Sequence, residues 1–190
     1  EPYKTNKKIR LIELFAGIGA QAKALNQVNA NFEHYKVIEF NRDAIKSYNA
    51  VHGTNFKATD VRKVKGSDLE IKETDKYTYI LTYSFPCQDL SKAGTHKGIE
   101  KGSGTRSGLL WEVERLLNEC EELPQVLVME NVQELLSDKH VKNFGKWITT
   151  LEKLGYKNFE KILNARDYNT PQNRERLFMV SVLGNYYYQY

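Results

Sequence analysis

Short apolar runs alternate along the chain with longer amphipathic stretches. "IRLIELF" (9–15) reads as a buried strand, and "YTYILTYS" (77–84), rich in β-branched and aromatic residues, reads as another. "YKVIEF" (35–40), "NFKATD" (55–60), "QVLVME" (125–130), "YKNFEKILNA" (156–165) and "RLFMVSVL" (176–183) complete a set of seven predicted strands. Between them, helical patterning predicts helices from Ile18 to about Val28, over "NRDAIKSYNAVH" (41–52) with Asn41 as N-cap, from about Ser107 to Cys120, and from about 139 to 154, ending at Gly155. This alternation predicts an α/β fold: a doubly wound, mostly parallel, seven-stranded sheet with helices on both faces. No repeat or linker divides the sequence, so residues 1–190 are expected to form one domain. Ligands of such sheets bind outside the carboxyl ends of the strands, which is where chemistry is sought.

Composition narrows the class. With 190 residues, 41% hydrophobic and 27% charged, the chain has enough apolar content for a core, and no apolar run is long enough to cross a membrane. The opening "EPYKTNKKIRLIELF" passes from a basic tail into a strand and lacks a signal-peptide pattern, so a cytoplasmic location and no membrane partner are expected. A net charge of +4 permits a polyanionic partner without requiring one. Cys87 and Cys120 lack any zinc-like spacing, and no metal site is expected.

Three strand ends suggest a nucleoside site. The first runs into "FAGIG" (15–19), whose Gly17 and Gly19 permit a tight turn and close approach of a ligand to the backbone. The second ends in Glu39, placed to accept from ribose hydroxyls, and the third in Asp60, able to accept from an adenine amine or to cap the next turn. A phosphate-loop lysine and a third glycine in dinucleotide spacing are both missing. That favours a nucleoside with an uncharged tail, such as S-adenosylmethionine.

The fourth strand delivers Cys87, which is either a buried thiol or a nucleophile at the mouth of the polar, glycine-rich loop that follows Pro86. The fifth delivers Glu130, an ion-pair partner or an acid. "TPQNRERLF" offers Gln172, Arg174 and Arg176; the alternate arginines project to one side of an extended chain, toward one acid or toward solvent.

Taken in order, "FAGIG", "SFPCQ", "MENV" and "QNRERLF" resemble the motifs of the DNA (cytosine-5)-methyltransferases, from about Leu11 to Leu183. "YSFPCQDLS" and "TRSGLLWEVER" are similar to bacterial enzymes that include CG-specific ones. The resemblance implies an S-adenosylmethionine-dependent, Rossmann-like methyltransferase that methylates carbon 5 of cytosine in double-stranded DNA through a covalent cysteine adduct to a flipped base, releasing S-adenosylhomocysteine. It implies that Phe15 packs on the cofactor adenine, that Gly17 and Gly19 shape its turn, that Glu39 holds the ribose, and that Asp60 and Val61 contact the adenine. Leu109 lines the methionine end, and Ala16, Ile18, Phe40 and Pro86 complete the cofactor contacts. Cys87 becomes the nucleophile, Glu130 the acid that holds the cytosine, and Arg174 and Arg176 the supports of the pocket. Gln88, Ser91, Lys92, Lys97, Lys101, Arg106 and Gln172 are assigned to DNA. Leu90 stands where the family usually has phenylalanine, and the sequence stops after "SVLGNYYYQY", where the family continues into a target-recognition domain. A second chain or a missing segment is expected to supply recognition. Two alternatives stay open: cytosine-5 methylation of tRNA, and a non-catalytic cofactor-binding half of a split enzyme.

Overall fold

The structure is a computed structural model that describes residues 1–86, 101 and 107–190. The chain falls into two compact units: Lys4–Ser84 with Arg115–Leu127, and Glu1–Tyr3 with Phe85–Glu114 and Val128–Tyr190.

In the first unit, β1 (Lys8–Leu14) pairs in parallel with β2 (Phe32–Ile38) on one side and β3 (Tyr77–Tyr83) on the other. Leu14 is in register with both Ile38 and Tyr83, so the three carboxyl ends are level. Leu11, Ile12, Glu13 and Leu14 are all buried, as expected for a strand covered on both faces. Helix α1 (Ala20–Gln27) follows β1, and α2 (Arg42–His52) follows β2. The Asn41 side chain accepts from the N–H groups of Asp43 (2.8 Å) and Ala44 (3.1 Å), which fixes where α2 starts. Gly53, at φ 66°, ends it. Ile45 and Tyr48 of α2 pack with Ala16 and Val37, and Phe56 closes that cluster.

The second unit holds the end of β4 (Val126–Asn131), α4 (Val141–Lys153), β5 (Tyr156–Asn164) and β6 (Glu175–Leu183). Phe144, Trp147 and Leu151 form the buried stripe of α4 at helical spacing. Gly155 turns the chain at φ 95° into β5, which pairs antiparallel with β6 from Tyr156↔Leu183 to Asn164↔Glu175. Helix α3 (Leu110–Glu119) precedes β4.

Among the described residues the strands form a six-stranded sheet in the order β2-β1-β3-β4-β6-β5, not the seven-stranded one expected. Residues 55–60 make no strand: the α2 side chain of Asn49 takes both backbone groups of Phe56, and Thr59 N–H goes to Glu39 O. Its Oδ1 accepts from Phe56 N–H and Thr54 Oγ1, and its Nδ2 donates to Phe56 O, at 2.8–2.9 Å. Helix α1 likewise begins at Ala20, two residues later than expected, because Gly19 is left-handed at φ 83°. Among the described residues, no helix is long and apolar enough to cross a membrane.

Candidate active site

The predicted nucleoside-binding residues gather in the first unit. The turn after β1 is left-handed at Phe15 (φ 57°), Gly17 (φ 56°) and Gly19 (φ 83°). Phe15 is the costly member, since a bulky residue there is strained by about 1–3 kcal/mol unless its surroundings hold it. Glu39 supplies part of that hold: its Oε2 accepts from Gly17 N–H at 2.8 Å and its Oε1 from Asn41 N–H at 2.7 Å. An ionised carboxylate has about four acceptor positions, so roughly two remain for hydroxyl groups of a ligand. Thr59 N–H donates to Glu39 O at 2.7 Å and brings the 55–60 segment alongside.

Asp60 caps the 3-10 turn Val61–Lys63 by accepting from Arg62 N–H at 3.0 Å. The Arg62 guanidinium also donates to both carboxylate oxygens, closest at 2.6 Å, and this pairing holds the Asp60 carboxyl below its ordinary range. Val61 and Ala16 are buried, whereas Ile18 and Phe40 are 59% and 70% exposed. Among the described residues a side chain at Gly17 would meet nothing within 4 Å, so the turn borders open space. Carboxylate acceptors, exposed apolar faces and an open-sided backbone turn fit a nucleoside cofactor of the S-adenosylmethionine type.

Sequence reasoning missed what lies beneath this turn. Glu13, fully buried on β1, accepts from the Tyr48 hydroxyl and from Ala22 N–H (3.4 Å), in the first turn of α1. Burial pushes the Glu13 carboxyl above its ordinary range. Tyr48 also meets His34 Nδ1 at 2.6 Å, and His52 Nε2 lies 3.1 Å from Ile18 O. The available signal was an isolated glutamate inside the apolar run "IRLIELF".

The second unit collects the other predicted residues. At the end of β4, Glu130 Oε1 pairs with Arg176 Nε of β6 at 3.2 Å, each side chain 24% exposed. Arg176 Nη1 donates to Glu175 O at 2.7 Å, which fixes the guanidinium plane. Next to Glu130, buried Asn131 donates through Nδ2 to Phe85 O at 3.1 Å and accepts from Val132 N–H at 2.8 Å. The backbone just before Pro86, itself half-buried, is thereby tied to the end of β4.

Arg174 is set by Asn164, whose Oδ1 accepts from Arg174 N–H at 3.1 Å and from Arg166 N–H at 3.2 Å, while its Nδ2 donates to Asn173 at 2.7 Å. Gln172, Arg174 and Arg176 line one polar cavity of about 350 Å³ together with Gln133, Glu134, Asn173 and Glu175. Leu109, half-buried, ends the 3-10 turn Ser107–Leu109 ahead of α3. Lys101 pairs with Glu114 at 2.7 Å, and its ammonium sits 5.6 Å from the Trp111 ring centroid.

Cys87, Gln88, Ser91, Lys92, Lys97 and Arg106 lie outside the described residues. Cys120 is described, and its setting is that of an unreactive thiol: burial, then Glu119, push it up to about 11, and its Sγ lies 3.7 Å from Gly66 O. Among the described residues no cluster of His, Cys, Asp and Glu is arranged to hold a metal.

Comparison with known proteins matches residues 9–189 to the family of C-5 cytosine-specific DNA methylases. The chain is 37% identical to the orphan methyltransferase M.SssI of Spiroplasma monobiae, over 95% of this chain and 61% of that protein. It is 36% identical to the type II methyltransferase M2.ScrFI of Lactococcus lactis subsp. cremoris, over 92% and 61%. Among solved structures, S. pombe Dnmt2 methyltransferase superposes with a TM-score of 0.75 at 27% identity, over 97% of this chain and 52% of that one. The Entamoeba histolytica methyltransferase EhMeth, at TM-score 0.74 and 19% identity over 97% and 56%, shares the fold. The chain thus spans about three fifths of the length of these curated relatives.

Proposed function

Since the chain belongs to the C-5 cytosine-specific DNA methylases, we propose that it is the catalytic part of an enzyme that methylates carbon 5 of cytosine in double-stranded DNA. One observation carries the reading. The adjacent residues Glu130 and Asn131 reach Arg176 and Phe85, so three motifs distant in sequence, "SFPCQ", "MENV" and "QNRERLF", meet at the end of β4. A structural ion pair alone would not explain why the same strand end also ties down the segment leading to a cysteine.

The target carbon is too weak a nucleophile to take a methyl group unaided. The Cys87 thiolate adds to carbon 6 and pushes electron density into the ring, while Glu130 delivers a proton to the ring nitrogen, leaving an enamine. Arg176 orients the Glu130 carboxyl through Nε and adds positive potential where negative charge builds on the base. S-adenosylmethionine would supply an electrophilic methyl group when bound; Glu39 would accept from ribose hydroxyls and Asp60 from the adenine amine, and Phe15, Ile18 and Phe40 would offer apolar surface to the ring. Carbon 5 would take the methyl group and then lose its proton to water. The Cys87–carbon 6 bond then breaks, Glu130 recovers its proton, and the product is S-adenosylhomocysteine plus 5-methylcytosine. A stacked base cannot enter such a pocket, so the cytosine is flipped out at a cost of a few kcal/mol. Arg174 supports the catalytic pocket together with Arg176, and Gln172, lining the same polar cavity, belongs to the DNA-facing side. The chain spans about three fifths of its curated relatives, and we assign target recognition to a part of such a protein beyond the matched region or to a second chain.

The test is transfer of labelled methyl groups to CG-containing duplex DNA and to tRNA, with and without an added recognition half, together with trapping on a 5-fluorocytosine duplex. The expected outcome is a denaturation-resistant adduct with DNA that vanishes in Cys87→Ala. An adduct that survives that substitution, or transfer to tRNA alone, refutes the reading.

A further inference from the structure

The turn after β1 is held from two sides, and only one of them belongs to the expected cofactor contacts. On the first side, Glu39 accepts from Gly17 N–H at 2.8 Å. On the second, His52, the last residue of α2, places Nε2 at 3.1 Å from Ile18 O. A carbonyl oxygen only accepts, so Nε2 must carry the proton and donate it. The same ring forms the floor of the turn: a Cβ at Gly19 would lie 2.3 Å from His52 Nε2 and 2.6 Å from Tyr48 Cε2.

The His52 ring is itself fixed. It lies 4.6 Å from the Tyr48 ring and 5.0 Å from the His34 ring, centroid to centroid. Tyr48, fully buried, is anchored at its hydroxyl by Glu13 and by His34 Nδ1 at 2.6 Å. Glu13 in turn accepts from Ala22 N–H at 3.4 Å at the start of α1, the helix into which the turn leads and whose N-cap, Gly19, has no side chain to offer. Four side chains from β1, β2 and α2 thus determine the orientation of the peptide between Ile18 and Gly19.

We propose, on the reading that this turn receives S-adenosylmethionine, that His52 is a positioning residue for cofactor binding: by holding Ile18 O while Glu39 holds Gly17 N–H, it keeps the turn in its ligand-ready form before the ligand arrives. Without the donor at position 52 the turn keeps the hold of Glu39 and its own backbone bonds, from Gly19 N–H to Ala16 O at 3.0 Å and from Ala16 N–H to Ile38 O at 3.3 Å, but Ile18 O loses its side-chain donor. The ligand must then order that peptide, which lowers affinity without removing any contact to the ligand itself. One net hydrogen bond corresponds to a loss of roughly three- to tenfold in affinity.

Isothermal calorimetry with S-adenosylhomocysteine on the whole chain, paired with thermal melting, tests this. His52→Phe keeps a ring and removes the donor; its affinity should fall by that factor. His52→Gln restores an N–H donor of similar reach and should recover most of it, even if both variants melt at similar temperatures. A role confined to packing would show the opposite order, with Phe the better replacement. Equal affinity in wild type, Phe and Gln variants overturns the proposal and leaves the cofactor reading intact. A folded wild type that binds no cofactor at millimolar concentration overturns the reading and the proposal together.

Discussion

Gly17 and Gly19 belong to one turn and share a left-handed backbone, at φ 56° and 83°, yet replacing each by alanine should have opposite consequences. The backbone cost is common to both, about 1–2 kcal/mol for an L-residue in that region. At Gly17 the added methyl meets nothing within 4 Å among the described residues, so that cost is all there is. At Gly19 it would stand 2.3 Å from His52 Nε2, 2.6 Å from Tyr48 Cε2 and 2.9 Å from His52 Cδ2. Tyr48 is fully buried and bonded through its hydroxyl, so its ring has nowhere to go, and overpacking adds about 1–3 kcal/mol. Gly19→Ala should therefore lose about 2–5 kcal/mol and Gly17→Ala about 1–2 kcal/mol. At this chain length each kcal/mol moves the melting temperature by about 2–4 °C, so the two variants should separate clearly in thermal denaturation. Calorimetry should rank them the other way. The Gly17 methyl projects into the open space we propose for the cofactor, so Gly17→Ala should stay folded and bind S-adenosylhomocysteine at least about tenfold more weakly, a loss of about 1.4 kcal/mol. Equal melting temperatures for the two variants, or a Gly17→Ala protein that binds like wild type, would refute this account of the turn.

Asn131→Ala removes two hydrogen bonds and leaves Phe85 O buried without its partner, so a loss of about 2–4 kcal/mol is expected in urea unfolding, against under 1 kcal/mol if the contact is incidental. Arg176→Ala should lower single-turnover methyl transfer by about 100-fold or more, while Arg176→Lys, which keeps the charge but not the Nε geometry, should recover only part of it; full recovery would show that charge alone matters. Cys120, pushed up to about 11, should react slowly with thiol reagents at pH 8, and Cys120→Ala should leave the DNA adduct unchanged. The platform under the turn should respond to pH at both ends. Burial and then His52 hold His34 below its ordinary 6.5, so its contribution to stability is complete above that value and lost as pH falls through the folded value. Burial raises Glu13 above its ordinary 4.5, so its contribution is complete below 4.5 and lost as pH rises through the folded value. His34→Gln should flatten the loss of melting temperature expected as pH falls below 6.5; an unchanged profile would refute this role for His34.

Local rules written in consecutive residues were enough for much of this protein. Apolar runs marked β1, β3, β4 and β6, Asn41 marked the start of α2, and the two glycines marked a turn at a strand end, because each depends on neighbours within a few positions. The segment 55–60 was misread for the complementary reason. Its alternation permits a strand, but whether it becomes one depends on what satisfies its backbone groups, and the competitor, Asn49, sits on a helix that propensity treats separately. The candidate site residues can be named from the sequence by type, as acids, glycines and arginines beside apolar runs. Their pairing cannot be read there: that Glu130 takes Arg176, that Asn131 takes Phe85 O, and that Asn164 sets Arg174 depends on strand neighbours that are not neighbours in sequence. Glu13 and His52 were invisible as functional candidates, since one looked like a blemish in an apolar strand and the other like the polar end of a helix. Only the packing of α2 against β1 and β2 brings Tyr48 and His52 beneath Gly19 and places a carboxyl where Tyr48 and Ala22 can satisfy it. Sequence determines which groups are available within a turn or a strand; tertiary packing decides which of them meet, because a hydrogen bond needs its partners within about 3 Å, and no local pattern encodes that distance across the 7 to 46 residues that separate these partners.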